Sequence, residues 1–184
     1  MSHLRVGLFS VVLLSSPVSA QDWDQLGRGL ELKAHAALMR QVALAKTPAP
    51  FTTDGCSGGL SAAWHSVAAY WPRFANDHKE QPPFEPCCVS HDRAYHEAGS
   101  ARGASESYDA RLAADRELQA CVIATGESRN AELAIRYGVA EEQVKEVYAL
   151  LAGSMYYSVR FGGGPCSGLG WRWGYGFDQC WSDN

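Results

Sequence analysis

The sequence predicts a mainly helical, disulfide-stapled domain, on three observations. Apolar residues recur at helical spacing in several long windows. Strand signals, meaning alternating runs rich in β-branched and aromatic residues, are almost absent. All six cysteines lie beyond an export-type leader, where an even count argues for bridges rather than free thiols.

The leader is Met1 to Ala20. Arg5 stands in a short polar start, the apolar run Val6 to Leu14 follows, and Val18-Ser19-Ala20 precedes Gln21. That is the layout of a secretory signal peptide cleaved after Ala20. The apolar run is shorter than the ~20 residues a transmembrane helix needs. A secreted or periplasmic chain with no membrane span is expected, with residues 21–184 as a single domain. The six cysteines, Cys56, Cys87, Cys88, Cys121, Cys166 and Cys180, then make three bridges. Fifteen pairings are open on counting alone, although adjacent Cys87 and Cys88 diverge by about 100° on a helix and must reach different partners. No CxxC pair points to zinc. The net charge of −4 and the lack of any basic tract argue against nucleic acid as a partner. Oligomeric state is not readable from these features.

The first helix is expected from Asp22 to about Ala45, with Trp23, Leu26, Leu30, Leu38 and Val42 as its apolar face. Thr47-Pro48-Ala49-Pro50 ends it, because a proline disfavours helix at the residue before it. A glycine-rich loop follows from Thr52 to Gly59, then a helix from Leu60 to about Trp71. A polar connection closes on Pro82-Pro83-Phe84-Glu85-Pro86, and Pro86 suits the first turn of the next helix. That helix carries Cys87, Cys88, His91, Asp92 and Tyr95 and stops near Gly99, a natural C-terminal cap. Ser105 to Ala124 makes another helix, with Leu112, Asp115, Leu118, Cys121 and Val122 near one face. A further helix runs from about Ala140 to Arg160, since Val144, Val147, Tyr148, Leu151, Met155 and Val159 keep the i, i+3, i+4 pattern. The tail from Gly162 is rich in glycine and aromatics, and Cys166 with Cys180 can staple it as one loop.

The chemistry concentrates in the helix beginning at Cys87. His91 and Tyr95 lie one turn apart on one face, and Asp92 turns toward a neighbouring groove. A neutral imidazole takes a proton from water when its other nitrogen is held by a carboxylate, and Asp115 is the candidate for that role, with Tyr95 in support. Asp92 is better placed as a ligand for a hard cation. Calcium takes carboxylates and backbone carbonyls from a loop that glycine can bend, and Asp54 to Gly59 can supply them if a bridge holds that loop near Asp92. A base delivering water beside such a cation makes an esterase.

These residues resemble a known family. Cys87-Cys88-x-x-His91-Asp92-x-x-Tyr95 looks like the active-site helix of secreted phospholipase A2, Asp54-Gly55-Cys56-Ser57-Gly58-Gly59 is similar to its calcium loop and nearer still to the loop of prokaryotic members, and Ala114-Asp115 through Cys121 looks like its second long helix. The resemblance spans roughly Thr52 to Val122. It implies a core, about 52–125, of two disulfide-linked antiparallel helices with a calcium loop, flanked by extra N- and C-terminal helices, the latter in an aromatic-rich extension over about 140–184. It makes His91 the base, Asp115 its orienting partner, Tyr95 a support and Asp92 the calcium carboxylate. The animal-type pattern adds carbonyls of Gly55, Ser57 and Gly59 to the Ca2+ shell; the prokaryotic pattern uses Asp54 and Gly55. The implied bridges are Cys56 to Cys88 and Cys87 to Cys121, which leaves Cys166 with Cys180. The implied activity is hydrolysis of the sn-2 ester of phospholipids at a membrane or micelle interface. Ala94 departs from the motif, which has a third cysteine there, Ser57 replaces a glycine, and the stretch from Leu60 to Pro86 is longer than the usual connection.

Other readings compete. Gly55-Cys56-Ser57-Gly58-Gly59 fits the GxSxG of a serine esterase, which would need a strand leading into Ser57. A non-catalytic binding protein on the same scaffold would use the tail aromatics Trp171, Trp173, Tyr175, Phe177 and Trp181, whose expected role is packing about a disulfide with at most a few rings facing lipid. His96 is expected to face solvent, and Asp109 to be a surface charge.

Overall fold

The computed structural model describes residues 20–56 and 82–181. Residues 1–19 of the leader, the Leu60–Trp71 helix and the loop positions Ser57, Gly58 and Gly59 lie outside them. Among the described residues the fold is five α-helices and one short 3-10 turn, with no strand: α1 Ala20–Ala45, α2 Glu85–His96, the turn Ala98–Ser100, α3 Ala104–Ser128, α4 Asn130–Tyr137 and α5 Glu141–Gly162. None of these helices is long and apolar enough to cross a membrane.

Each boundary has a local cause. Pro86 sits in the first turn of α2, where its missing N–H costs no helix bond, and Gly99 at φ 62° breaks the chain after it. Gly138 closes α4 in the left-handed conformation. α5 opens with the Gln143 side chain accepting the Ala140 N–H at 3.0 Å and with Glu141 and Glu142 against the positive end of the helix dipole.

Cross-links show that α2 and α3 run antiparallel. Cys87 bonds Cys121, His91 reaches Asp115, and Tyr95 reaches Arg111, so numbers rise along one helix as they fall along the other. α3 is the central element, packed against α5, α1 and α2, with α4 lying on α5. Its crossing with α5 is tight at Gly126, where an added Cβ would lie 2.4 Å from the Tyr148 Cβ. The core gathers Leu38, Phe84, Tyr95, Leu118, Val122 and Met155 with Trp173 from the tail. Cys56 bonds Cys88, Cys87 bonds Cys121 and Cys166 bonds Cys180, with Cα separations of 5.3, 5.7 and 5.3 Å, within the normal range for bridges.

Three expectations are corrected. Leu30 is 74 % exposed, because α1 instead buries a face through His35, Leu38 and Gln41, with Glu31 half-buried beside it. His96 is 3 % exposed rather than solvent-facing: the returning tail places Tyr175, and the segment after α1 places Phe51, edge-on to its ring at 5.0 and 5.4 Å. The helix α4 was not foreseen, and α3 runs four residues beyond Ala124, to Ser128. The tail aromatics do pack: Trp173 and Phe177 are buried, while Trp181 stays 59 % exposed. Asp109 is a surface charge, paired with Arg28.

Candidate active site

His91 faces α3 because it lies one turn beyond Cys87, whose bridge to Cys121 fixes the two helices. Its Nε2 lies 2.9 Å from Oδ1 of Asp115, and Tyr95 donates its hydroxyl to the same oxygen at 2.7 Å. A carboxylate only accepts, so Nε2 carries a hydrogen, and in the neutral imidazole Nδ1 is the nitrogen with the lone pair. Asp115 is fully buried and His91 is 7 % exposed. The His91 and Tyr95 rings lie 4.1 Å apart, and Trp173 stands edge-on behind Tyr95 at 5.0 Å. The imidazole is therefore confined by rings on one side and by a carboxylate on another.

A cleft of about 100 Å³ opens beside His91, walled by Ser90, Ala94, Ala114, Glu117, Leu118 and the Cys87–Cys121 bridge. Ala94 thus lines space next to the imidazole, which a larger side chain would fill. The volume is enough for several water molecules.

The sequence reading missed the charges behind the pair. Arg160, from α5, donates Nη1 to Oδ2 of Asp115 at 2.9 Å and Nη2 to Oε1 of Glu31 at 3.0 Å. Arg111 is fully buried; it donates Nε to the Tyr95 oxygen at 3.2 Å, Nη1 to Glu31, and Nη2 to the carbonyls of Val159 and Arg160 at 2.8 and 2.7 Å. Those carbonyls belong to the last turn of α5, at the negative end of its dipole, where that of Val159 also accepts the Gly163 N–H at 2.8 Å. Burial lifts the Glu31 carboxyl, but bonding to His35 and the charges of Arg111 and Arg160 more than offset it, so Glu31 ends below the ordinary carboxylate range. Burial pushes the His35 imidazole down toward its neutral form. The Tyr95 hydroxyl is held well above its ordinary range by burial and by the neighbouring Asp115 charge, so it acts as a donor and not as a phenolate. The available signal was spacing: Arg111 and Asp115 stand i, i+4 on α3, and Glu31 and His35 stand i, i+4 on α1.

Asp92 points away from this pair. Its Oδ2 accepts the Thr53 hydroxyl at 2.5 Å, and it lines a cavity of about 340 Å³ with Thr52, Thr53, Asp54, Gly170, Trp171 and Tyr175. Burial raises the Asp92 carboxyl; the Thr53 bond and His91 oppose that, and the Asp54 charge adds to it. Two carboxylates that repel each other in a partly buried cavity favour a cation between them. The Cys56–Cys88 bridge ties the loop to α2 one turn from Asp92, and Gly55 turns the chain at φ 68°, where a Cβ would also lie 2.8 Å from Oε1 of Glu85. The donors are all hard oxygens, which suits calcium and not zinc. Among the described residues no three His, Cys, Asp or Glu side chains gather into one metal-ligating group, so hydroxyl and backbone oxygens would have to complete a shell. Ser57 and Gly59 lie outside the described residues.

Thus the fold brings His91, Asp115 and Tyr95 together, and sets Asp92 and Asp54 about a second cavity, with Gly55 next in the loop but not in its lining. Residues 46–56, leading into Ser57, contain turns and no strand, so the nucleophile elbow of a serine esterase has no lead-in strand there. Comparison of the chain with protein-family models, with curated proteins and with solved structures finds no match in any of the three.

Proposed function

We propose that this chain is an exported, calcium-dependent phospholipase A2 that hydrolyses the sn-2 ester of glycerophospholipids at a membrane or micelle surface, on a core like that of the secreted phospholipase A2 family. The observation that carries the reading is the buried His91–Asp115 pair, braced by Tyr95, on two helices that the Cys87–Cys121 bridge clamps. The Cys56–Cys88 bridge, holding an oxygen-rich loop against the next residue, Asp92, supports the same reading.

In this mechanism Nδ1 of His91 takes a proton from a water in the adjoining cleft as that water attacks the ester carbonyl. Nε2–H stays bonded to Asp115, whose charge stabilises the imidazolium that forms. Tyr95 keeps Asp115 from swinging toward the new positive charge. His91 then returns the proton to the departing glycerol oxygen, so a lysophospholipid and a free fatty acid leave and the base is regenerated. Asp92 and Asp54, with Gly55 and neighbouring loop oxygens, would hold calcium; when bound, it supplies positive charge for the ester oxyanion and the lipid phosphate. The sn-2 choice and the export of the chain come from the sequence resemblance and the leader.

Fatty-acid release from phospholipid vesicles tests the proposal, measured with calcium, with EDTA, and with His91→Gln. Calcium-dependent release that the variant loses is expected. Release that survives EDTA and His91→Gln would refute the mechanism, and no release above the variant would leave a binding protein on this scaffold.

A further inference from the structure

The proposed reaction uses His91, Asp115 and Tyr95, and does not by itself explain why an arginine from the far helix α5 is bonded to the same aspartate. We propose that Arg160 is a positioning residue: clamped by Glu31 of α1, it pins the outer oxygen of Asp115 so that the inner one stays on His91 and Tyr95. The kinetic part of this inference rests on the phospholipase reading; the geometric part does not.

The torsion that turns a carboxylate about its last bond is broad and nearly two-fold. Nothing intrinsic to Asp115 therefore decides which way Oδ1 faces. Oδ1 accepts from both His91 and Tyr95, at 2.9 and 2.7 Å, so a rotated carboxylate would weaken both bonds together. Arg160 opposes that rotation by holding Oδ2 at 2.9 Å. Its own freedom is removed at the other nitrogen, where Glu31 accepts at 3.0 Å. A planar guanidinium held by two carboxylates at two nitrogens has a fixed plane, which a lysine ammonium would not.

Arg111 cannot take over. Its Nε stands 4.0 Å from Oδ2 of Asp115, and its remaining nitrogens are committed to Glu31 and to the end of α5. Arg160 is only 12 % exposed at its side chain, so water is a poor substitute. The consequence is that α1 and α5, which touch neither water nor ester in the proposed mechanism, set the direction of the His91–Asp115 bond. Losing the clamp leaves the imidazole in place with its tautomer less strictly fixed, and misplacement of that kind costs up to about 100-fold in rate.

The experiment compares Arg160→Gln and Arg160→Lys in the wild-type and Asp115→Asn backgrounds. Release from vesicles in saturating calcium gives kcat and KM, and 15N NMR of the His91 ring gives its tautomer. Arg160→Gln is expected to lower kcat about 10- to 100-fold with KM within about twofold, and Arg160→Lys to restore part of the loss. In the Asp115→Asn background the same change should cost less than about twofold, because the residue acts through that carboxylate. The wild-type ring should carry its proton on Nε2, and Arg160→Gln should show a mixture. A wild-type kcat in Arg160→Gln overturns the proposal, as does an equal loss in both backgrounds or an unchanged single tautomer. If Arg160→Gln does not fold, Arg160→Lys carries the same comparisons. If the wild type releases no fatty acid, the phospholipase reading falls, and the 15N spectra alone decide the clamp: a tautomer that differs between wild type and variant upholds it, and identical spectra reject it.

Discussion

Replacing Arg111 by methionine tests the buried charge group as a structural unit. Glu31, Asp115, Arg111 and Arg160 form a set of two anions and two cations, with His35 pushed toward neutrality beside them. Methionine nearly keeps the volume and removes one cation, so one carboxylate is left without a counter-charge in a place where Arg111 itself has no exposed surface. Breaking a buried pair from one side costs about 3–5 kcal/mol. The carbonyls of Val159 and Arg160 also lose a donor. For a domain of this size each kcal/mol moves Tm by about 2–4 °C, which gives a fall of about 6–20 °C. Thermal unfolding at neutral pH, followed by circular dichroism, reads it directly. Adding Glu31→Gln should recover part of the loss, since one cation and one anion then remain. A shift under about 2 °C, or a double variant less stable than the single by the full cost of Glu31→Gln, would refute the balanced-charge account.

Two other outcomes are expected. Glu31 titrates below the ordinary carboxylate value of 4.5 and His35 below the ordinary imidazole value of 6.5 in the folded chain; in both cases the unfolded chain binds more protons across the shift, so stability is full at neutral pH and drains as pH falls below about 6.5 for His35 and below about 4.5 for Glu31. Urea unfolding of Glu31→Gln across pH 7 to 3 should show a flatter acid limb than the wild type, and parallel curves would contradict the assignment. Gly163→Ala puts a Cβ 2.7 Å from Cε1 and 3.0 Å from the hydroxyl of Tyr95, and 2.7 Å from the Val159 carbonyl oxygen, at an ordinary negative φ, so both the Tyr95 ring and the end of α5 must give; overpacking costs about 1–3 kcal/mol, and ester hydrolysis should fall by more than about tenfold as Tyr95 is pushed from Asp115. Wild-type turnover in that variant would show that Tyr95 is not needed where it stands.

Much of the fold was legible because apolar spacing and punctuation agree. Pro86, Gly99 and the i, i+3, i+4 run from Val144 to Val159 place α2 and α5 within a few residues, and the resemblance supplied the same cysteine pairs that the structure has. The His91–Asp115 meeting was anticipated for the same reason: a cysteine six residues after the aspartate anchors α3 to α2. The polar half of the core was not legible. Glu31, His35 and Arg111 sit at inward helix positions, but periodicity counts apolar residues, so Leu30, one step of about 100° away, was taken for the buried face of α1. α4 is short and its apolar residues follow a Gly-Glu-Ser stretch that reads as a turn. His96 is buried by a tail some 80 residues later in the chain, a contact that no local pattern encodes.

The backbone bonds between that tail and α2 set an order of assembly. Gly174 N–H donates to the Tyr95 carbonyl at 2.6 Å and Gly176 N–H to that of His96 at 3.2 Å. The helix that bears His91 is thus finished at its C-terminal end by residues some 80 positions further along the chain. Synthesis from the N-terminus can form α2 early but cannot close it early. A chain stopped before Gly174 would hold His91, Asp92 and Asp115 in its sequence and still lack the closed form of the helix that carries the first two.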